Sequence, residues 1–140
     1  MNLPRAALAA LAAFVIYFVL GGLLFAVSPM SDEFRKYPAV YRTPESMKDV
    51  FALGMAAMLV AMFVLAVVYG RWYRGGRGAV EGAKFGALIG VFAVCGFVLH
   101  NYVNLNIGMK LTIEQAAAYF VQWTIAGIII GAIYRPAAAG

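Results

Sequence analysis

The residue with the widest chemical range is the chain's single histidine, His100, in a polar segment with Asn101, Tyr102 and Asn104. An imidazole can ligate a metal or haem iron, or change protonation near pH ~6.5. The asparagines would orient polar groups of a ligand, and Tyr102 and Trp123 would add aromatic walls. These five residues are the candidate ligand-binding site. The competing interpretation is a hydrogen-bonding histidine at a membrane surface. Haem held by two histidines would require a symmetric dimer.

Other arrangements typical of enzymes are missing from the sequence. It offers no paired carboxylates, no Ser-His-Asp set and no metal-ligand spacing. Cys95 and His100 are five residues apart, about 140° around a helix, so they do not face each other. The sequence therefore predicts no catalytic residue, no metal site and no identifiable cofactor, and it favours a non-enzymatic role.

Three polar side chains fall within apolar stretches and are candidate intramembrane functional groups. Glu81 and Lys84, three residues apart, form either a surface pair near a helix start or a buried, proton-handling pair. Gln122 needs a partner because an amide in hydrocarbon is costly, and we predict a contact with another subunit, helix or ligand. Three methionines at helical spacing either bind Cu(I) through thioethers or fill gaps in the core: Met55, Met58 and Met62.

The composition dictates what must position these groups. Of the 140 residues, 64% are hydrophobic and 12% charged, with a net charge of +5. Soluble domains carry roughly 25% charged residues. A chain this apolar needs lipid as the solvent for its outer faces, so the bilayer is its first partner. The positive charge fits lysine and arginine at membrane surfaces, and no nucleic-acid partner is expected.

The apolar runs predict an all-α polytopic membrane protein, a single domain over residues 1–140 with four transmembrane helices in an up-down-up-down bundle. About 20 apolar residues cross the hydrocarbon core. The predicted spans are residues 5–27, 44–73, 79–104 and 113–134, with an external loop over 28–43. The first run also resembles a signal peptide, but it exceeds the usual apolar length of about 7–15 residues, so we interpret it as a retained helix.

Local signals mark where helices begin. Thr43 and Pro44 predict an N-cap and first position, and Thr112 with Gln115 predicts a capping box that starts the fourth helix. Within the external loop, a short interfacial helix is expected to begin at Ser31, with Phe34, Tyr37 and Tyr41 at membrane level.

Small residues at four-residue spacing predict close helix contacts, because they let backbones approach each other in lipid. One stripe runs along the third helix, and its face is expected to continue through Ala93 and Phe97 to His100 and Asn104. Shorter stripes occur in the second and fourth helices. The predicted packing residues are Gly78, Gly82, Gly86, Gly90, Gly127, Gly131 and Gly54.

These glycine stripes, together with Asn101-Tyr102 ahead of a loop, make residues 78–135 resemble small bacterial four-helix integral membrane proteins catalogued only as a domain of unknown function. The resemblance implies the same fold and a bacterial inner membrane. It implies no site, because no activity is attached to that group.

Basic residues predict the orientation. Arg71, Arg74 and Arg77 are concentrated in one short loop, which the positive-inside rule places in the cytoplasm with both termini, including Arg135. The function expected is a bundle that forms a homo-oligomer, supports a membrane-protein partner or moves a small solute. Small-ligand, metal or haem binding around His100 is the alternative.

Overall fold

A computed structural model describes residues 2–134, so Arg135 lies outside the described part of the chain. Within that range the regular elements are helices. Four helical stretches are long and apolar enough to cross a membrane: Leu3–Val27, Pro44–Trp72, Gly78–Asn104 and Met109–Ile133. The prediction of an all-α chain with four membrane-length helices is confirmed.

Five α-helices and two π-helical segments make up these stretches, and a sixth α-helix lies between the first and the second. The first stretch is α1, followed by a π-helical segment, and the third combines α4, a second π-helical segment and α5. The elements in order are α1 (Leu3–Gly21), the segment Gly22–Val27, α2 (Met30–Arg35), α3 (Pro44–Trp72), α4 (Gly78–Ala93), the segment Val94–Leu99, α5 (His100–Asn104) and α6 (Met109–Ile133). The short helix α2 lies where the sequence predicts an interfacial one.

The sequence predicts helix starts at Thr43 and Thr112, and the structure agrees with the first and not with the second. The Thr43 side chain accepts a hydrogen bond from the backbone N–H of Ser46, as predicted for an N-cap. The prediction of a capping box at Thr112 is wrong, because α6 begins four residues earlier than predicted, with Gly108 as its N-cap. Thr112 is instead inside the helix, where its hydroxyl donates to the Gly108 carbonyl at 3.1 Å.

The helices are arranged with α1 and α6 in the middle. α6 packs against α4 on one side and α1 on the other, and α3 packs mainly against α1. α1 and α6 run antiparallel, since Asn2 is beside Tyr134 and Tyr17 is beside Trp123. One end of the bundle carries α2 and is called the α2 end. The other carries residues 73–77 and is called the arginine-loop end.

Small residues of α1 line the middle of the core. Ala6, Ala9, Ala10 and Ala13 are all buried, at a spacing that keeps them on one face. They share one cluster with large buried side chains of α3 and α6: Met62, Tyr69, Ile130 and Tyr134. Met62, one of the three methionines considered as Cu(I) ligands, is therefore a fully buried core residue, and Met58 packs against the same cluster.

The π-helical segment of the third stretch overturns the face predicted for Phe97. A π turn closes over five residues instead of four and so advances the register by one residue. After buried Ala93, the next buried residue is Val98, five positions on, and Phe97 is 59% exposed. His100 and Asn104 lie in residues 99–106, which are exposed on every face. Cys95 is also exposed.

Candidate functional site

The histidine cluster lies at the exposed α2 end of the third stretch. His100, Asn101, Tyr102 and Asn104 are all exposed. The Asn104 side-chain amide donates to the backbone carbonyl of His100, one turn earlier, at 2.9 Å. The four residues are brought together by their position on one helix.

Trp123 is not part of that group. Its carbonyl oxygen lies against Gly86, fourteen residues before His100 on the same stretch, which is about 20 Å along a helix. Its ring contacts Tyr17 of α1, with centroids 4.9 Å apart. The predicted aromatic wall therefore belongs to the middle of the bundle.

The pair Glu81 and Lys84 is a surface ion pair. The Lys84 ammonium is 2.8 Å from the Glu81 carboxylate, and its side chain is 63% exposed. The pair joins residues of one helix turn and faces outward. This geometry matches the interpretation of a lysine at the membrane surface rather than a buried, proton-handling pair.

Glycines bring the backbones of α4 and α6 into direct contact. A Cβ added at Gly86 would stand 2.9 Å from the Thr124 Cα and closer still to the Trp123 carbonyl oxygen. One added at Gly90 would stand 3.0 Å from the Phe120 ring, and one at Gly82 3.0 Å from the Gly131 Cα. Added carbons at Gly127 and Gly131 meet Gly86 and the Gly78 carbonyl oxygen in turn. Ascending positions on α4 meet descending positions on α6, so the two helices are antiparallel.

Gly54 behaves differently from the other predicted packing residues. It is exposed on α3, and a Cβ added there would meet nothing within 4 Å. α3 turns its methionine side toward the core instead, with Met62 fully buried. The prediction that Gly54 packs against a neighbouring helix is wrong within the described chain.

A cluster of charged groups at the α2 end was not predicted. The carboxylate of Glu33, whose side chain is 8% exposed, accepts hydrogen bonds from Lys110 at 2.5 Å and Lys36 at 2.7 Å. These hydrogen bonds, with Lys110 contributing most, lower the pKa of the Glu33 carboxyl below its ordinary value of 4.5. Lys110 also lies 3.8 Å from Glu114. The cluster fixes α2 to the first turns of α6.

Two tyrosines of the loop extend this attachment. The Tyr37 hydroxyl accepts a hydrogen bond from the backbone N–H of Gly108 at 2.9 Å. The side-chain amide of Gln115 donates to the Tyr41 hydroxyl at 3.3 Å. The segment of residues 28–43 is therefore bonded to α6 through Glu33, Tyr37 and Tyr41.

Gln122 is a buried residue with a partner inside the chain. It is 1% exposed, and its Nε2 donates to the backbone carbonyl of Tyr17 on α1 at 3.1 Å. Its Oε1 is buried without a hydrogen-bond partner among the described residues. The predicted need for a partner helix is met by α1, and a side chain this enclosed cannot reach another subunit.

At the arginine-loop end, tyrosines close the bundle. Tyr69 is fully buried, and its hydroxyl donates to the carbonyl of Gly78 at 3.0 Å, which connects α3 to the start of α4. Phe85 of α4 packs on the same ring, with centroids 5.4 Å apart. Tyr69 is therefore a core residue.

The functional residues that sequence reasoning missed are long-range partners. Glu33 and Lys110 are 77 residues apart, so no local periodicity marks them as a pair. Tyr17 contributes a carbonyl, which no side-chain pattern marks. Gln115 and Gln122 did carry a signal, since a seven-residue spacing places both amides on one helix face.

Among residues 2–134, no group of three or more His, Cys, Asp or Glu side chains could hold a metal ion. Neither a protein-family model, nor a curated protein, nor a solved structure matches the chain. The chemistry of the chain must therefore be argued from the contacts described above.

Proposed function

We propose that the chain is a non-enzymatic integral membrane protein that forms a homo-oligomer through α3. The four membrane-length helices support insertion in a bilayer. Association between helices in lipid depends on close backbone approach, because lipid tails are as apolar as the helix surfaces. The helix that joins the subunits must therefore present small residues on an exposed face.

The proposal rests on which small residues are buried inside the subunit and which are exposed. In α1, α4 and α6 the small residues at the helix contacts are buried inside the chain. In α3, Gly54 and Ala57 are exposed. α3 is also the least buried helix: 11% of its most apolar window lies inside the chain, compared with 33% for the third and fourth stretches.

The exposed face of α3 has the chemistry of a helix that stays in the membrane. Leu53, Val60 and Val64 are 73%, 63% and 52% exposed, and residues 50–69 include no polar side chain beyond Tyr69, which is buried. A second copy of α3 can approach this face closely at Gly54, where an added Cβ meets open space. Large side chains would hold the two backbones apart.

The proposed orientation places the termini and the arginine loop in the cytoplasm of a bacterial inner membrane. Arg71 and Arg74 are exposed at the arginine-loop end, and the positive-inside rule favours the cytoplasm for basic residues concentrated in a short loop. The α2 end then faces outward, with Glu33, Lys36 and Lys110.

Native mass spectrometry from mild detergent tests the association, with Gly54→Leu as the variant and Gly22→Leu as its matched control. Both glycines are exposed, and a Cβ added at either meets nothing within 4 Å, so neither position is packed inside the subunit. We expect Gly54→Leu to weaken association at least roughly tenfold, about 1.4 kcal/mol, and Gly22→Leu to leave it unchanged. A monomeric native chain, or equal behaviour of the two variants, would exclude association through α3.

A further inference from the structure

A row of polar side chains on α6 leads from the α2 end into the middle of the bundle. Gln115, Tyr119 and Gln122 follow at spacings of four and three, which places them on one face, and they span about 10 Å along the axis. Ala126 and Ile130 continue the same face and are buried and apolar. We call the three polar residues the polar row.

Neighbouring elements extend the polar row with further hydrogen-bonding groups. The Tyr41 hydroxyl of the loop accepts from Gln115 at 3.3 Å. Tyr119, which lies between the two glutamines on this face, is half-buried. Tyr17 supplies the carbonyl that Gln122 bonds. Groups able to donate or accept thus run from the loop to the level of Gln122.

The polar row ends at Gln122, whose side-chain oxygen lacks a hydrogen-bond donor among the described residues. Gln122 is 1% exposed and its Oε1 has no partner among the described residues. An amide oxygen without a hydrogen bond in an apolar setting costs several kcal/mol. A carboxamide oxygen is only an acceptor, so the group that completes it must be a hydrogen-bond donor.

We propose that the polar row is a hydrated inlet, along which water enters from the α2 end and donates a hydrogen bond to Gln122 Oε1. The phenols and amides of the row carry no formal charge, so the site suits a neutral donor. Water is such a donor, and buried water commonly completes the hydrogen bonding of otherwise unpaired polar groups. The buried Ala126 and Ile130 end the inlet, which makes it a blind site and not a transmembrane path.

The backbone of α1 supports this location. α1 changes to a π-helical segment at Gly22, immediately after Gly21, which faces Gln122. π-helical turns occur frequently at functional sites, because they alter the register and the hydrogen bonding of a helix. The inference does not depend on self-association through α3, since the polar row is inside one subunit.

Nuclear magnetic resonance of the native chain tests the inlet directly. The sequence has two glutamines, Gln115 and Gln122, so labelling with ¹⁵N-glutamine gives two carboxamide signals, which a Gln115→Met variant assigns. We expect a cross-peak between water and the Gln122 carboxamide, and none between water and the backbone amide of Ala126. Absence of the cross-peak at Gln122 would overturn the inlet.

Thiol labelling gives an independent measurement in a Cys95→Ser background, which removes the one native cysteine. Methanethiosulfonate reagents attack the thiolate, which needs water to form. We expect Gln122→Cys to react at least about tenfold faster than Ala126→Cys, an equally buried position one turn deeper. Equal rates at the two positions would overturn the proposal.

Discussion

The pair α4 and α6 and the pair α1 and α3 are packed by opposite means. Between α4 and α6, glycines leave no side chain, and backbone meets backbone. Between α1 and α3, the alanines of α1 receive large side chains of α3, Met62 and Tyr69 among them. A backbone contact has no rotamer with which to adapt, whereas a side-chain contact can repack. The two interfaces should therefore respond differently to a change of one methyl group.

The largest effect is expected for Gly86→Ala at the α4–α6 interface. The added Cβ would stand 2.9 Å from the Thr124 Cα and nearer to the Trp123 carbonyl oxygen, so the helices must separate. We expect a loss of about 3 kcal/mol in the free energy of unfolding. Thermal unfolding in mild detergent, followed by circular dichroism, measures it.

Gly22→Ala is the matched control, because it makes the same chemical change at an exposed helical position outside the proposed α3 contact. Nothing within 4 Å opposes its Cβ, and alanine is favoured over glycine in a helix by about 1 kcal/mol. The two variants should thus shift the stability in opposite directions. A Gly86→Ala variant as stable as the native chain would show that α4 and α6 are not held by backbone contact.

Sequence alone predicts the α4–α6 interface better than any other part of the fold. Glycine spacing is a property of one helix, and Gly82, Gly86 and Gly127 all lie where the backbones meet. The same reasoning was wrong for Gly54, because a small residue permits a close contact without supplying a partner. In α3 the core side is chosen by Met62 and Tyr69, whose bulk fills the space that the alanines of α1 leave.

The candidate site was less predictable, for two physical reasons. The π-helical segment Val94–Leu99 shifts the register by one residue, so a wheel drawn at 3.6 residues per turn put Phe97 on the buried face where Val98 lies. The polar connections of the α2 end depend on tertiary contacts such as Glu33 with Lys110, and no local periodicity records them. Trp123 failed as a site residue because it is separated from His100 along the bundle axis.

An intermediate effect is expected for Met62→Ala, which tests the side-chain interface between α1 and α3. Met62 is fully buried, and its removal leaves a cavity that the neighbouring side chains close only in part. We expect a loss of about 2 kcal/mol. Met55→Ala is the control, since Met55 is half-buried on the same methionine stripe and should cost less than about 1 kcal/mol. Equal losses would mean that the stripe does not pack as described.

The smallest effect concerns the attachment of α2 to α6, and it depends on pH. Hydrogen bonds from Lys110 and Lys36 hold the pKa of Glu33 below its ordinary value of 4.5. A carboxyl whose pKa is lower in the folded chain binds protons more readily when unfolded. Its stabilising contribution is therefore complete above pH ~4.5 and is lost as the pH falls through the lower folded pKa.

Comparing Glu33→Gln with the native chain between pH 7 and pH 3 isolates this contribution. The native chain should be the more stable at pH 7, and the difference in unfolding temperature should shrink as the pH falls below ~4.5. Asp32→Asn is the control, because Asp32 is 72% exposed and 3.6 Å from Arg35, so its substitution should change little at either pH. A constant difference across the range would assign the effect of Glu33 to packing. A shrinking one assigns it to charge, and α6 would then be held by backbone contact at α4 and by ion pairs at α2.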